Sequence, residues 1–254
     1  MSNNILYLSR DEIYSSISMQ EAIVATVECF KEINNGNFDM PLRQLINAPE
    51  NNGLFLFMPA YLERLQASGI KIGSIYKNNK DIGLPTIHGI VILFDVLNGK
   101  IKAILDGEAI TVLKTGSVSA IATDILSKKT AKKLAIIGAG KQAKSQVDGV
   151  CCIRNIETIY IYSKNSSSSI KLKQLLLHNP KYKKLDIIVC ESARDAVKNA
   201  DIICTVTSSD SVNPIIIKEY LSLPVHINAI GGSTSDACEI DRLVFNDATV
   251  VVDF

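Results

Sequence analysis

Neither sign of charge prevails in this sequence: 27 Lys and Arg stand against 26 Asp and Glu, a formal net charge of +1. Nucleic-acid binders concentrate basic charge on one face to displace counterions from phosphates, so no nucleic-acid partner is expected. The cluster Lys171, Lys173, Lys181, Lys183 and Lys184 reads instead as a solvated helix face with its loop. Long apolar runs are also lacking, none approaching the roughly 20 residues of a membrane span. The opening MSNNILYLSRDE has no basic-then-apolar signal layout. The expectation is a cytoplasmic protein without a membrane partner. Cysteine is modest at six, with no C-x-x-C pair, and the three histidines are scattered (His88, His178, His226). That argues against zinc sites and disulfide frameworks, so the thiols are read as free and buried, with no metal site.

The pattern that is present divides in two. Ser9 with Glu12 and Ser18 with Glu21 fit the S-x-x-E capping box, which satisfies orphan backbone donors at a helix start. Met19, Ile23, Val27, Phe30 and Ile33 then recur at helical spacing up to Asn35-Gly36. From about 54 to 105 the texture changes to short apolar runs, LFLFMPAYL, GIKIGSIY, IHGIVILFDV and KIKAILDG, with Asn98-Gly99 as a hairpin turn. This half predicts helix plus a mostly antiparallel sheet, and TGSVSAIATDILSKKT (115–130) reads as the helix joining it to the next.

The second half alternates. KLAIIG (133–138), TIYIYS (158–163), LDIIVC (185–190), DIICTV (201–206), HINAIG (226–231) and TVVVDF (249–254) read as strands. Helices are expected at 142–152, 167–177 and 192–199. Nearly all-apolar β-branched runs separated by helices describe a parallel sheet covered on both faces. The expected fold class is therefore α/β, a doubly wound Rossmann-type sheet at 117–254 beside an α+β domain at 1–116.

Gly138-Ala139-Gly140-Lys141-Gln142-Ala143 directly follows the first run of that half and opens a helix, matching G-x-G-x-x-A. The first glycine permits the tight turn and the second lets a pyrophosphate approach the backbone. The small Ala143 packs helix on strand, and Gln142 sits where the helix N-terminus faces negative charge. A P-loop fails, because the glycine required five residues before Gly140 is Ala135. No G-x-S-x-G elbow exists for a hydrolase. The bound group is thus expected to be a nicotinamide dinucleotide, with Thr205, Thr207 and Ser208 lining its cleft at the carboxyl edge of the sheet. At the end of the second run, where an NAD-preferring domain carries an acid, the chain has Ser163-Lys164-Asn165, and no Asp or Glu follows before Asp186. Hydroxyl, ammonium and amide can donate to a 2′-phosphate, so NADP(H) is favoured over NAD(H). A plain polar turn remains the alternative.

Taken together, GIKIGSIYKNN, GLPTIHGIVILFDVLNGK, GEAITVLKTGSVSAIAT, KLAIIGAGKQA and INAIGGSTSDACEID are similar to the ornithine cyclodeaminase and mu-crystallin family over essentially the whole chain. The resemblance implies an NAD(P)-dependent enzyme moving hydride at the α-carbon of a small amino or imino acid, as a homodimer. It implies that Arg43 in MPLRQ binds the substrate carboxylate, which suits a planar guanidinium fork; an ordinary surface arginine is the alternative. It implies that Lys71 is the active-site lysine. Independently, a lone Lys inside an apolar strand is costly unless partnered or functional. Thr86 in LPTIHG corresponds to a pocket-lining residue, or to a plain strand threonine. Lys114 stands where the family usually has Arg, turning a bidentate contact into a point charge. Ser233 stands where ornithine cyclodeaminases often carry Asp, a position at which ketimine reductases carry serine. Ornithine cyclodeaminase-like chemistry is the leading expectation, with a ketimine reductase, an alanine dehydrogenase or a non-catalytic cofactor binder as alternatives. Measured against the family, the chain stops at Phe254, so a C-terminal return segment is expected to be missing.

Overall fold

The computed structural model describes residues 5–207, 213–231 and 238–253. The chain divides into two compact units, Met1–Lys114 and Thr115–Phe254.

The first unit starts with β1 (Leu6–Leu8), α1 (Arg10–Ser16) and α2 (Met19–Asn34). Both predicted capping boxes close: Glu12 accepts from the Ser9 N–H at 2.8 Å, and Glu21 accepts from the Ser18 N–H at 2.8 Å. The short β2 (Phe38–Asp39) and β3 (Gln44–Ala48) precede β4 (Gly53–Leu62), β5 (Ala67–Tyr76), β6 (Ile87–Phe94) and β7 (Ile101–Asp106). They form a seven-stranded sheet in the order β1-β7-β6-β5-β4-β2, with β3 also on β4. Only the β1–β7 pairing is parallel. Ile13, Ala22, Ala103, Leu105, Ala109 and Leu113 pack as its core.

Helix α3 (Gly107–Leu126) leads into the second unit. It begins well before the expected 115, because Asp106 accepts from the Ala109 N–H at 2.7 Å and so caps the helix directly at the end of β7. By length and composition α3 is long and apolar enough to cross a membrane. That departs from the expectation that no segment comes near a span, although Glu108, Lys114 and Asp124 interrupt it and nearly half of it is buried in protein.

The second unit runs β8 (Lys133–Ile137), α4 (Ala143–Ile153), β9 (Thr158–Tyr162), α5 (Ser166–His178), β10 (Asp186–Val189), α6 (Ala193–Val197), β11 (Ile202–Thr205), β12 (His226–Ala229) and α7 (Arg242–Phe245). The sheet is wholly parallel, ordered β10-β9-β8-β11-β12. Strand alternation explains its two faces. Leu134 and Ile136 point with Ile159 and Ile161 toward Val147 and Val150 of α4 and Leu172 and Leu176 of α5. Ala135, Ile137 and Ile203 point the other way, toward Ala196 and Val197 of α6. Each fully buried Ile or Leu contributes about 1.5–3 kcal/mol of transfer free energy.

One predicted strand is absent. Residues 249–253 form no strand, and Val250, Val251 and Val252 are exposed. β-Branched residues favour a pleated surface only where a neighbouring strand supplies ladder bonds, and among the described residues none pairs there.

Candidate active site and dinucleotide site

In the first unit the register gathers basic side chains. Met58 of β4, Lys71 of β5, Val91 of β6 and Leu105 of β7 lie in one row, so Lys71 shares the face whose Leu105 packs against α3. There the Lys71 Nζ donates to Thr111 Oγ1 at 2.5 Å, and that hydroxyl donates to the Gly107 carbonyl at 2.6 Å. Lys114, one turn along α3, is exposed. Burial first, and the Lys114 charge second, hold the Lys71 ammonium below its ordinary pKa. Arg43 is exposed, immediately before Gln44 of β3. Gln44 pairs with Phe57, whose neighbour Met58 pairs with Lys71. Arg43 thus enters two strand spacings from Lys71, about 10 Å. Thr86 is placed elsewhere: its carbonyl accepts from the Tyr76 N–H at 2.8 Å, five residues along β5 from Lys71. The pairing does not set those two side by side.

In the second unit β8 lies between β9 and β11, where the strand order reverses, and crevices at such points receive ligands. Gly138 has φ +104°, a conformation L side chains rarely adopt, and its N–H donates to the Tyr162 carbonyl at 2.7 Å. A Cβ there would lie 2.7 Å from the Val206 carbonyl oxygen, so the turn presses on the exit of β11. Among the described residues, a Cβ on Gly140 would meet nothing within 4 Å. The backbone therefore faces open space ahead of α4, as a pyrophosphate requires. Ala143 is fully buried against the sheet, and the Gln142 carbonyl accepts from the Ser145 hydroxyl at 2.8 Å. These residues fit a dinucleotide.

At the end of β9 the Ser163 hydroxyl donates to the Asn165 carbonyl at 2.7 Å and meets the Ser169 hydroxyl at 2.8 Å. Asn165 caps α5 by accepting from the Ser167 N–H at 3.0 Å, and Lys164 is exposed. No carboxylate stands in this turn. Thr205 and Thr207, both expected to line the cleft, bond to one carboxyl group, that of Glu239. Thr205 is fully buried, and its hydroxyl donates to Glu239 at 2.7 Å; a side chain so enclosed supports the cleft from behind. Thr207 is half-buried and also bonded to Glu239. Ser208 and Ser233 lie outside the described residues. All six cysteines are free, but only Cys204 is fully buried, correcting the expectation that all are. Burial pushes the Cys151 thiol up to about 12 and Cys204 likewise, so both stay protonated and inert. Among the described residues no His/Cys/Asp/Glu group could hold a metal ion.

Two polar residues escaped sequence reasoning. Thr111 carried a faint signal, a hydroxyl three residues before Lys114 and so on the same helix face. Glu239 carried none, because its partners sit over thirty residues earlier in the chain.

Comparison with known proteins bears on the family and the fold. The sequence profile of the ornithine cyclodeaminase/mu-crystallin family matches residues 3–254. A Delta(1)-pyrroline-2-carboxylate reductase from Bacillus cereus is 33% identical over 251 residues, covering 98% of this chain and 74% of the relative. The Thermococcus litoralis Delta(1)-pyrroline-2-carboxylate reductase, solved with NADH and L-proline, is 36% identical, with a TM-score of 0.85 over 93% of this chain and 72% of that one. An archaeal alanine dehydrogenase dimer with bound NAD is 28% identical, with a TM-score of 0.88 over 98% and 74%. The protein is an NAD(P)-dependent oxidoreductase acting on small amino or imino acids, and by sequence and fold it belongs to the ornithine cyclodeaminase/mu-crystallin family.

Proposed function

We propose that this chain reduces a cyclic α-imino acid of the Delta(1)-pyrroline-2-carboxylate kind to the corresponding amino acid. The observation that carries this reading is the half-buried Lys71, held by Thr111 with Lys114 as its neighbouring charge. A lysine whose pKa is lowered gives up its proton more readily than a solvated one. The relatives of 33% and 36% identity named for that reduction support the substrate class. Reduced nicotinamide supplies the hydride for the α-carbon. Lys71 supplies the proton for the imine nitrogen, so C=N becomes CH–NH with hydride and proton both accounted for. Arg43 and Lys114 neutralise the carboxylate. Ser233, where ornithine cyclodeaminases often carry Asp, favours reduction over redox-neutral cyclodeamination.

The cofactor preference in this reading is NADPH, supported by a β9 turn that carries Lys164 and no acid to repel a 2′-phosphate. The assembly is a homodimer. On the sheet face turned away from Lys71, Ile46, Phe55 and Ile90 are each more than a third exposed, an apolar surface that a second copy would cover. Free thiols suit a cytoplasmic, reducing setting. The test is a panel of pyrroline-2-carboxylate, its six-membered homologue, pyruvate with ammonia, and ornithine, each with NADPH and NADH. Net NAD(P)H consumption with a cyclic imino acid is the expected result. Ornithine turnover without net cofactor change would overturn it in favour of a cyclodeaminase.

A further inference from the structure

Glu239 is a buried carboxylate, 7% exposed, with no cation paired to it among the described residues. It accepts from the Thr205 hydroxyl at 2.7 Å, the Thr207 N–H at 3.0 Å and the Thr207 hydroxyl at 2.5 Å. All three donors come from one stretch, the exit of β11. Around it the backbone leaves no slack. A Cβ on Gly231 would overlap the Glu239 carboxylate and the Thr207 carbonyl, and the N–H groups of Ile230 and Gly231 donate to the Thr205 carbonyl at 2.9 and 3.2 Å. On the other side Gly138 presses on Val206. The Glu239 backbone is itself anchored, its carbonyl accepting from Ile215 and Ile216 at 2.9 and 3.0 Å.

Burying a carboxylate with neutral partners alone costs desolvation free energy, and three hydrogen bonds offset only part of it. A Gln or an apolar residue would serve packing at lower cost, so a carboxyl group with three donors converging on it points to a role beyond packing. We propose that Glu239 is a positioning residue for the dinucleotide. It clamps Thr205–Thr207 between the exits of β8 and β12, so that the β11 exit keeps its shape beside the phosphate turn. Both threonine hydroxyls donate to the Glu239 carboxyl oxygens, so their protons are spent there. Thr207, the one of the two that is not fully buried, then offers its remaining lone pairs as an acceptor. The cofactor group it can meet is a hydroxyl or an amide N–H, never a phosphate oxygen. The inference rests on the proposed dinucleotide site.

The test titrates NADH and NADPH against the full chain by cofactor fluorescence, with thermal unfolding of every variant alongside. Glu239→Ala and Glu239→Gln are compared with Leu176→Val, a core substitution in α5 away from the strand exits. The expected result is a dissociation constant raised about tenfold or more by Glu239→Ala and about threefold by Glu239→Gln, which keeps one acceptor oxygen. Leu176→Val should lower the unfolding temperature and leave affinity unchanged, the split a merely structural role would not produce. If Glu239→Ala does not fold, Glu239→Gln decides. Affinity within about twofold of wild type in the folded Glu239 variants, or affinity that falls equally in Leu176→Val, overturns the proposal. The site itself is checked separately, since wild type that binds neither cofactor would show the dinucleotide reading at fault and not Glu239.

Discussion

Lys71 and Thr111 lie 40 residues apart in sequence, yet the lysine Nζ donates to the threonine hydroxyl at 2.5 Å. Because that hydroxyl already donates to the Gly107 carbonyl, its oxygen is oriented as an acceptor toward Lys71. The bond therefore favours the charged lysine, against burial and Lys114, which both oppose it. Thr111→Val should depress the Lys71 pKa further and cut turnover roughly tenfold, in line with a charge-assisted bond. The basic limb of the kcat/KM profile should move to lower pH; an unmoved limb would remove Lys71 as the proton donor. The stability sign follows from linkage. A lysine with lowered folded pKa destabilises the fold in full below that folded pKa, and the penalty is removed as pH rises to the unfolded value. Lys71→Met should thus raise the unfolding temperature near neutrality, with the gain shrinking as pH rises through the lowered folded pKa and gone above about 10.4, the ordinary lysine value.

Arg43, proposed to hold the substrate carboxylate, is exposed and about 10 Å from Lys71 by strand spacing. Arg43→Ala should lower kcat/KM by about thirtyfold or more with unchanged unfolding temperature and cofactor affinity. Lys114→Arg should lower KM by restoring a forked contact. Steady-state kinetics on both variants check this, and unaltered kcat/KM in Arg43→Ala would move the carboxylate site elsewhere.

The two glycines of the phosphate turn should fail differently. Gly138→Ala forces an L side chain to φ +104° and against the Val206 carbonyl, so a loss of about 1–3 kcal/mol of stability is expected. Gly140→Val meets no neighbour among the described residues, so its unfolding temperature should match wild type while NAD(P)H binding is lost. Calorimetry beside cofactor titration separates them, and full cofactor affinity in Gly140→Val would refute the loop assignment.

Ser163→Asp places a carboxylate where β9 ends in a turn that has none. Wild type should bind NADPH more tightly than NADH, with the gap shrinking as salt rises, and the variant should reverse the order. Equal affinities in wild type would show that the turn does not read the 2′-phosphate.

Arg154 is almost fully enclosed, 2% exposed along its side chain, and donates to the carbonyls of Thr123, Asp124 and Lys128 at 2.8 to 3.1 Å. It closes the C-terminal end of α3. Arg154→Met should cost about 3 kcal/mol by stranding those acceptors, read as a shifted denaturation midpoint with cofactor affinity intact. A midpoint within error of wild type would mean that solvent reaches them.

The local pattern of this sequence determined most of the fold. Strands from β8 to β12 and the G-x-G-x-x-A turn follow from short-range chemistry: β-branched runs, glycine at a positive φ, and a small Ala143 under the helix. The capping boxes at Ser9 and Ser18 are equally local. One failure was non-local: TVVVDF has the composition of a strand but, among the described residues, no partner to complete it. The other was local but ambiguous, since Asp106, read as the end of a strand, also caps α3 and starts it at Gly107. The site divides along the same line. A lone lysine in an apolar strand marked Lys71, but only the β4–β5–β6 register and the lie of α3 decided that Thr111 holds it. Likewise the run of hydroxyls after β11 was legible in the sequence as a polar strand exit. Only the fold brought Glu239 back beneath Thr205 and Thr207, because hydrogen bonds depend on separation in space and the sequence records only separation along the chain.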